Sequence, residues 1–150
     1  MIRPATSDEA TALTQIALDA KRYWGYPEHW IKHWESDLTI SPEFISDNQV
    51  FVSDSDGEIR GFYALCINEN AAELEHMWVA PQYIGTGIGK ELILDAMDRA
   101  ATFNMGEVQL TADPNATGFY ERMGAKKIGE ANSIIEGQSR TLPRMKVELE

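Results

Sequence analysis

The chain has a single cysteine, Cys66, in 150 residues. No disulfide can form within it, and nothing in it calls for an oxidising compartment. Long apolar runs are absent too: the apolar residues come in short groups separated by Gly, Pro, Asn and Asp, the pattern of a globular domain rather than of a spanning or disordered segment. Met1-Ile2-Arg3-Pro4 lacks the apolar core of a secretory leader, so the expected location is cytoplasmic. Cations are few, 13 Lys and Arg against 24 Asp and Glu, for a formal net charge of -11. Such a surface repels phosphate backbones and anionic lipid, which argues against a general nucleic-acid or membrane binder and favours small cationic partners. Histidines number three. His29 and His33 have helical metal spacing, but no third ligand is evident and the glutamate of a zinc protease motif is missing, so no metal is expected. There are no repeats, no low-complexity tracts and no linker, and one domain over residues 1–150 is expected.

What is present reads as a mixed α/β (α+β) fold. A short strand at Ile2 to Ala5 leads to Thr6 and Glu9, a capping-box pair that opens a helix to about Ala20 with Ala10, Leu13, Ala17 and Ala20 as its buried stripe. A second helix is expected from Glu28, with Trp30, Trp34 and Leu38 on one face. Ser41-Pro42 caps a short third one. From Gln49 the period becomes extended: Val50 to Ser53 and Ile59 to Ile67 flank the hairpin signal Asp56-Gly57, and Ala72 to Val79 is a third strand. A long amphipathic helix follows with Ile88, Leu92, Ala96, Met97 and Ala100 inward. Glu107 to Thr111 is a strand, Pro114 to Met123 a helix closed by Gly124, and Pro143 to Leu149 a last strand. Cys66, in an apolar strand run, reads as a small buried hydrophobe.

Two stretches carry chemistry. In Pro81-Gln82-Tyr83-Ile84-Gly85-Thr86-Gly87-Ile88-Gly89-Lys90, glycine at alternate positions strips side chains from the turn between strand and helix. Backbone amides can then converge on one small volume, with the positive end of the helix dipole behind them. Such a nest binds phosphate without net positive charge, which an acidic protein needs, and Lys90 adds a cation at the rim. The spacing is not that of a dinucleotide fingerprint, and Glu91 after Lys90 disfavours a magnesium P-loop. A tight turn with close strand-helix packing is the plain structural reading of the same glycines. The second stretch is Asp113-Pro114-Asn115-Ala116-Thr117-Gly118-Phe119-Tyr120-Glu121-Arg122-Met123-Gly124-Ala125. Asp113 is an N-cap, Pro114 sits at the first helical position, and Ala116, Phe119, Tyr120 and Met123 form an apolar stripe, a reading under which Tyr120 is a core aromatic.

Together, Leu74 to Gly89 and Asp113 to Ala125 resemble, in order and spacing, the two signature motifs of the GCN5-related N-acetyltransferase (GNAT) superfamily. That family has a strand ending in Val-x-Pro before a Gln/Arg-x-x-Gly-x-Gly/Ala loop, and later an Asn-x-x-Ala-x-x-Phe-Tyr-Glu-x-x-Gly-Phe helix. This chain departs with Ile84 for Gln or Arg and with Asp113 for Asn, Asn115 being displaced by two residues. The resemblance implies a GNAT-like acyl-CoA N-acyltransferase fold, a mixed, mostly antiparallel sheet splayed where coenzyme enters and flanked by helices. It also implies acetyl-CoA as cosubstrate. Ile84, Gly85, Thr86, Gly87, Ile88, Gly89 and Lys90 would hold the pyrophosphate, and Met77, Trp78, Val79, Asn115 and Phe119 the pantetheine arm. An amide from the Met77 to Val79 strand would serve the thioester oxygen as oxyanion donor.

Acyl transfer needs a proton for the departing thiolate, and a phenol with an ordinary pKa of about 10 can supply it at neutral pH; Tyr120 is the residue implied. An alkylamine is mostly protonated at neutral pH, so a base must relieve it of a proton. Glu75, with Glu73 in reserve, lies on the strand before the glycine loop. At a spacing of two they should share a face, with His76 opposite unless the strand is bulged. Acceptor specificity in similar proteins is set partly by the first two helices, where Trp24 and Tyr26 are the pocket candidates and Trp30 and Trp34 are expected to pack. Arg140 is assigned either to the acceptor cleft or to loop anchoring. The expected function is transfer of acetyl to a primary amine, on a small molecule or peptide, by direct attack in a ternary complex. The competing readings are a non-catalytic acyl-CoA binding or sensing module and an unrelated nucleotide-binding domain. Similar proteins often form homodimers.

Overall fold

Extended runs rich in Val, Ile, Phe and Tyr supply the strands, and 3.6-residue apolar stripes supply the helices that cover them. The structure, a computed structural model, describes residues 1–69 and 71–149. In chain order the elements are β1 (Ile2–Pro4), α1 (Ala10–Tyr23), α2 (Glu28–Leu38), α3 (Pro42–Asp47), β2 (Gln49–Ser55), β3 (Glu58–Ile67), β4 (Ala72–Val79), α4 (Ile88–Thr102), β5 (Glu107–Thr111), α5 (Thr117–Arg122), β6 (Lys126–Ile135) and β7 (Gln138–Glu148). The strands form one seven-stranded sheet in the order β1-β2-β3-β4-β5-β7-β6. Among the described residues only the β4-β5 pairing is parallel. α4 and α5 cover one face over Leu65, Leu74, Leu92, Val108 and Met145. α1, α2 and α3 cover the other over Leu13, Ile31, Val52, Phe62 and Ile135.

Two irregularities at the centre of the sheet create the site. Among the described residues β4 and β5 are in register only at Ala72 opposite Val108 and Glu73 opposite Gln109; beyond that point the two strands part and leave a wedge between them. The second irregularity lies in β4. His76 pairs with Ala64 while Leu74 pairs with the next residue, Leu65, so Glu75 is an extra, bulged residue. The bulge resets the alternation: Ala72 and Leu74 pack under α4, and after it so do Met77 and Val79, whereas Trp78 joins the α1-α2 core. The simple rule that residues two apart share a face therefore stops at Glu75.

Most expected stripes are observed, and the exceptions have local causes. Ala10, Leu13, Ala17 and Ala20 are the buried residues of α1. In α2 the buried set is Ile31, Trp34 and Leu38, with Ile31 where Trp30 was expected, because Trp30 lies at the margin of the core. In α4 Ile93 is buried and Met97 packs only partly. The expected helix from Pro114 begins as one 3₁₀ turn, Pro114–Ala116, before α5. The strand expected from Pro143 begins five residues earlier, at Gln138, and pairs with β6 across Glu136-Gly137, whose φ values of 48° and 81° form a tight left-handed turn. β6 carries no alternation to read, since Lys126 to Glu130 all face solvent at the sheet edge and a register shift falls between Lys127 and Gly129.

The N-terminal capping box is reinforced by an ion pair. Glu9 accepts from the Thr6 amide at 2.9 Å while both its oxygens take the Arg3 guanidinium at 3.0 and 2.7 Å. Arg3 outweighs the burial that opposes it, and holds the Glu9 carboxyl down to about 2. A carboxyl lowered on folding stabilises fully above its unfolded value and loses that contribution as pH falls through its folded value. Glu9→Gln, which keeps an acceptor for Thr6 but no charge for Arg3, is expected to cost about 1 kcal/mol at pH 7. In thermal melts the parent and variant should converge between about pH 4.5 and 2.

Candidate active site

The wedge between β4 and β5 opens into a cleft of about 580 Å³, lined by the end of β4, the glycine turn, the turn before α5, and Ala20 and Trp24 of the first helix. On its glycine side, Gly85 and Gly87 have φ of +85° and +90°, a region a side chain enters only with strain, and Gly87 is the N-cap of α4. Within the turn the Ile84 amide donates to Pro81 at 3.3 Å and the Thr86 amide to Tyr83 at 3.2 Å. Among the described residues the amides of Gly85, Gly87, Ile88, Gly89 and Lys90 have no protein acceptor. They stand at the head of a 15-residue helix, where the dipole favours an anion. The donor set fits a diphosphate, with Ile84 and Thr86 contributing shape rather than hydrogen bonds. A Cβ at Gly89 would lie in ordinary van der Waals contact with the Phe119 ring, at 3.4 Å.

Phe119 and Tyr120 form the wall on the α5 side, their rings edge to face at 5.3 Å. Tyr120 is 7% exposed and borders the cleft, and its hydroxyl has no protein partner among the described residues. Burial, and after it the charge of Asp113, push the phenol above its ordinary value. The phenol therefore keeps its proton at neutral pH.

On the β4 wall the bulge turns Glu75 out into the cleft. Desolvation by the surrounding wall, then the charge of Glu73, raise its carboxyl above the usual carboxylate value, with Arg144 opposing. Glu73 is engaged elsewhere: its two oxygens take Arg144 at 2.6 and 2.9 Å, and the same guanidinium reaches Gln109 and Thr111. His76 accepts from the Trp78 indole at Nδ1, 3.1 Å away, and burial pushes it down to about 4, so at neutral pH it is uncharged and that nitrogen is occupied. Met77, Trp78 and Val79 follow along the wall with the backbone of the strand between them. The Cys66 thiol, raised to about 11 by burial and by Glu75 and Glu73, is no nucleophile at neutral pH.

On the acceptor side the two sequence candidates separate. Trp24, 37% exposed, lines the cleft with Tyr23 edge-on to it at 5.3 Å. Tyr26 does not stand free: its ring packs between Trp30 and Trp34, and its hydroxyl donates to Asp113 at 3.0 Å while accepting from Asn115 and Arg140. The aromatic cluster already holds resident cations, with Lys21 Nζ 4.3 Å from the Trp34 ring centre and Arg140 5.0 Å from it. That aromatic box is occupied by the protein's own cations, whereas Trp24 borders the cleft.

The sequence reading missed Lys21, in the last turn of α1, whose ammonium bonds Asp113 at 2.8 Å, and Arg122, a further cation on the cleft wall. The signal for Arg122 was its place two residues after Tyr120 on a helix assigned to the site. No signal in the sequence pairs residues 21 and 113.

Comparison with known proteins identifies the family and the fold. Residues 7–149 match the model of the acetyltransferase (GNAT) domain family. The chain is 28% identical over 138 residues to the 5-NmdU N-acetyltransferase of Pseudomonas phage PaMx11, covering 87% of this chain and 90% of that one. It is 29% identical over 125 residues to the peptidyl-lysine N-acetyltransferase YiaC of Escherichia coli K12, covering 83% and 82%. Among solved structures, the PaiA N-acetyltransferase of Thermoplasma acidophilum in complex with coenzyme A superposes with a TM-score of 0.81 at 22% identity, covering 99% of this chain and 98% of that one. The overall fold is thus that of solved N-acetyltransferases, and the chain belongs to the GNAT acetyltransferase family.

Proposed function

We propose that residues 1–150 form one acyl-CoA dependent N-acetyltransferase domain that acetylates a primary amine by direct attack in a ternary complex. The observation that carries this reading is the run of unpartnered amides at Gly85 and from Gly87 to Lys90, facing a cleft that Glu75 and Tyr120 also border. Bound there, acetyl-CoA supplies the acyl group as a thioester and a thiolate as leaving group. Glu75 takes the proton of the amine, and its raised pKa suits it to that exchange better than an ordinary surface carboxylate. Tyr120 delivers its proton towards the sulfur and regains one from solvent. An amide of the Met77 to Val79 strand faces the carbonyl oxygen, where negative charge grows.

The acceptor is a small-molecule or peptide amine. The relatives are named for a peptidyl lysine and for 5-NmdU, and the net charge of -11 favours the cationic lysine over a polyanionic nucleic acid. Calorimetric titration with coenzyme A, ATP and NAD in parallel is the first test, and coenzyme A alone should bind. A thiol-release screen with acetyl-CoA over lysine peptides, polyamines and aminomethylated nucleosides then follows. Binding of coenzyme A without turnover of any amine would favour a sensing module, and binding of ATP or NAD instead would remove the reading altogether.

A further inference from the structure

The position that departs most plainly from the family pattern, Asp113, is not an exposed substitution. Its carboxylate is mostly buried and receives four donors from three parts of the chain. These are Lys21 Nζ of α1 at 2.8 Å, the Tyr26 hydroxyl of the α1-α2 connection at 3.0 and 3.1 Å, and the backbone and side-chain nitrogens of Asn115, both at 2.9 Å. Arg140 of β7 closes the circuit by donating to the Tyr26 hydroxyl at 3.0 Å. Lys21 and Asp113 each keep only 12% of their side-chain surface exposed, a depth at which an ion pair is screened little and breaks at high cost.

The place of this circuit in the cleft gives it a role. Lys21 lies between Ala20 near the end of α1 and Trp24 just past it, both of which line the cleft. Asp113 caps the turn that leads directly into α5 and its Tyr120. Among the described residues no strand pairing joins these two walls. They face each other across the gap where β4 and β5 have parted, and the circuit is the polar tie across its mouth. We infer that Asp113 is a positioning residue for the acceptor: through Lys21 and Tyr26 it holds the Ala20-Trp24 wall at a fixed distance from the Tyr120 helix. The inference rests on the acetyltransferase reading for its kinetic consequence, and on geometry alone for its mechanical one.

Three variants separate the tie from a merely structural ion pair and from a coenzyme contact. Asp113→Asn restores the family's residue while stranding Lys21; Lys21→Met/Asp113→Asn removes both charges; Lys21→Arg keeps the pair. With a blocked lysine dipeptide and spermidine as acceptor probes, Asp113→Asn should raise acceptor KM about tenfold with the Kd for coenzyme A within about twofold of the parent. The double variant should recover thermal stability but not acceptor KM, and Lys21→Arg should stay near the parent in both. Amide hydrogen exchange gives a readout independent of turnover: in Asp113→Asn, segments 20–26 and 113–120 should exchange faster together while 88–102 is unchanged. The proposal is overturned if Asp113→Asn changes coenzyme A Kd severalfold at constant acceptor KM, if the double variant restores KM along with stability, or if the two segments keep the parent's protection. Should the parent turn over neither probe, the acetyltransferase reading would suffer, while coenzyme A titration and exchange would still decide whether the tie exists.

Discussion

Tyr120→Phe should fold as the parent does, bind coenzyme A with nearly the same affinity, and lose about 10²–10⁴-fold in kcat. The expectation follows from the setting of the hydroxyl. Among the described residues nothing donates to it or accepts from it, so its removal leaves no buried group unsatisfied and the ring keeps its place against Phe119. What disappears is the donor. Because burial and Asp113 hold the phenol above its ordinary pKa of about 10, the parent's activity should not decline through that value from loss of the donor proton. A thiol-release assay run on both proteins at pH 7 to 9.5, with calorimetric Kd values beside it, checks the claim. Unchanged turnover in the variant would return Tyr120 to the role of core aromatic.

The parts of the fold that could be read in the sequence are those where one local rule acts alone. The stripe Ala10, Leu13, Ala17 and Ala20 on α1 is a helical period with no competing signal. Ser41 caps α3 by accepting from Phe44 at 3.0 Å, as Ser before Pro leads one to expect. Asp56 and Gly57 both take positive φ, the conformation that an Asp-Gly hairpin turn requires. β6 was missed because it is an edge strand with both faces wet along its first half, where burial imposes no alternation. Glu136-Gly137 was a usable turn signal, obscured by Pro143 further along the partner strand. Pro143 has no amide to donate to the ladder, while its carbonyl accepts from the Ala112 amide at 2.9 Å.

The site divides along the same line. The glycine turn and the α5 motif are each contiguous in the chain, so their residues can be named from the sequence alone. The β4 bulge cannot, because it arises from the pairing of β4 with β3 and not from the residues of β4 alone. The rank of the two glutamates depends on Arg144, 71 residues from Glu73. The fate of Tyr26 depends on Lys21, Asp113 and Arg140, which come from three distant parts of the chain, the last from the β6-β7 hairpin that also meets α2 where His29 reaches Glu136 at 3.3 Å. Charges that pair across the fold carry no local pattern, and the acceptor side of this cleft is built from such pairs.

Glu75→Gln should lower kcat/KM for the acceptor by about 10²-fold or more and alter the acid limb of the pH profile. In the parent that limb should lie above the ordinary carboxylate value, because a base must be ionised to act, and desolvation and Glu73 both make Glu75 harder to ionise. Activity is therefore lost earlier as the pH falls than a surface glutamate would allow. Titration of the amine itself is common to both proteins, so the difference between the two profiles isolates the carboxylate. Arg144 supplies an internal control of sign. Its positive charge lowers the Glu75 pKa, and it is the partner that occupies Glu73. Arg144→Gln should move the acid limb to still higher pH by removing the opposing cation and baring Glu73 at once. An acid limb that ignored both substitutions would show that the proton leaves the amine by another route, and the bulge in β4 would then need a different reason to turn its glutamate into the cleft.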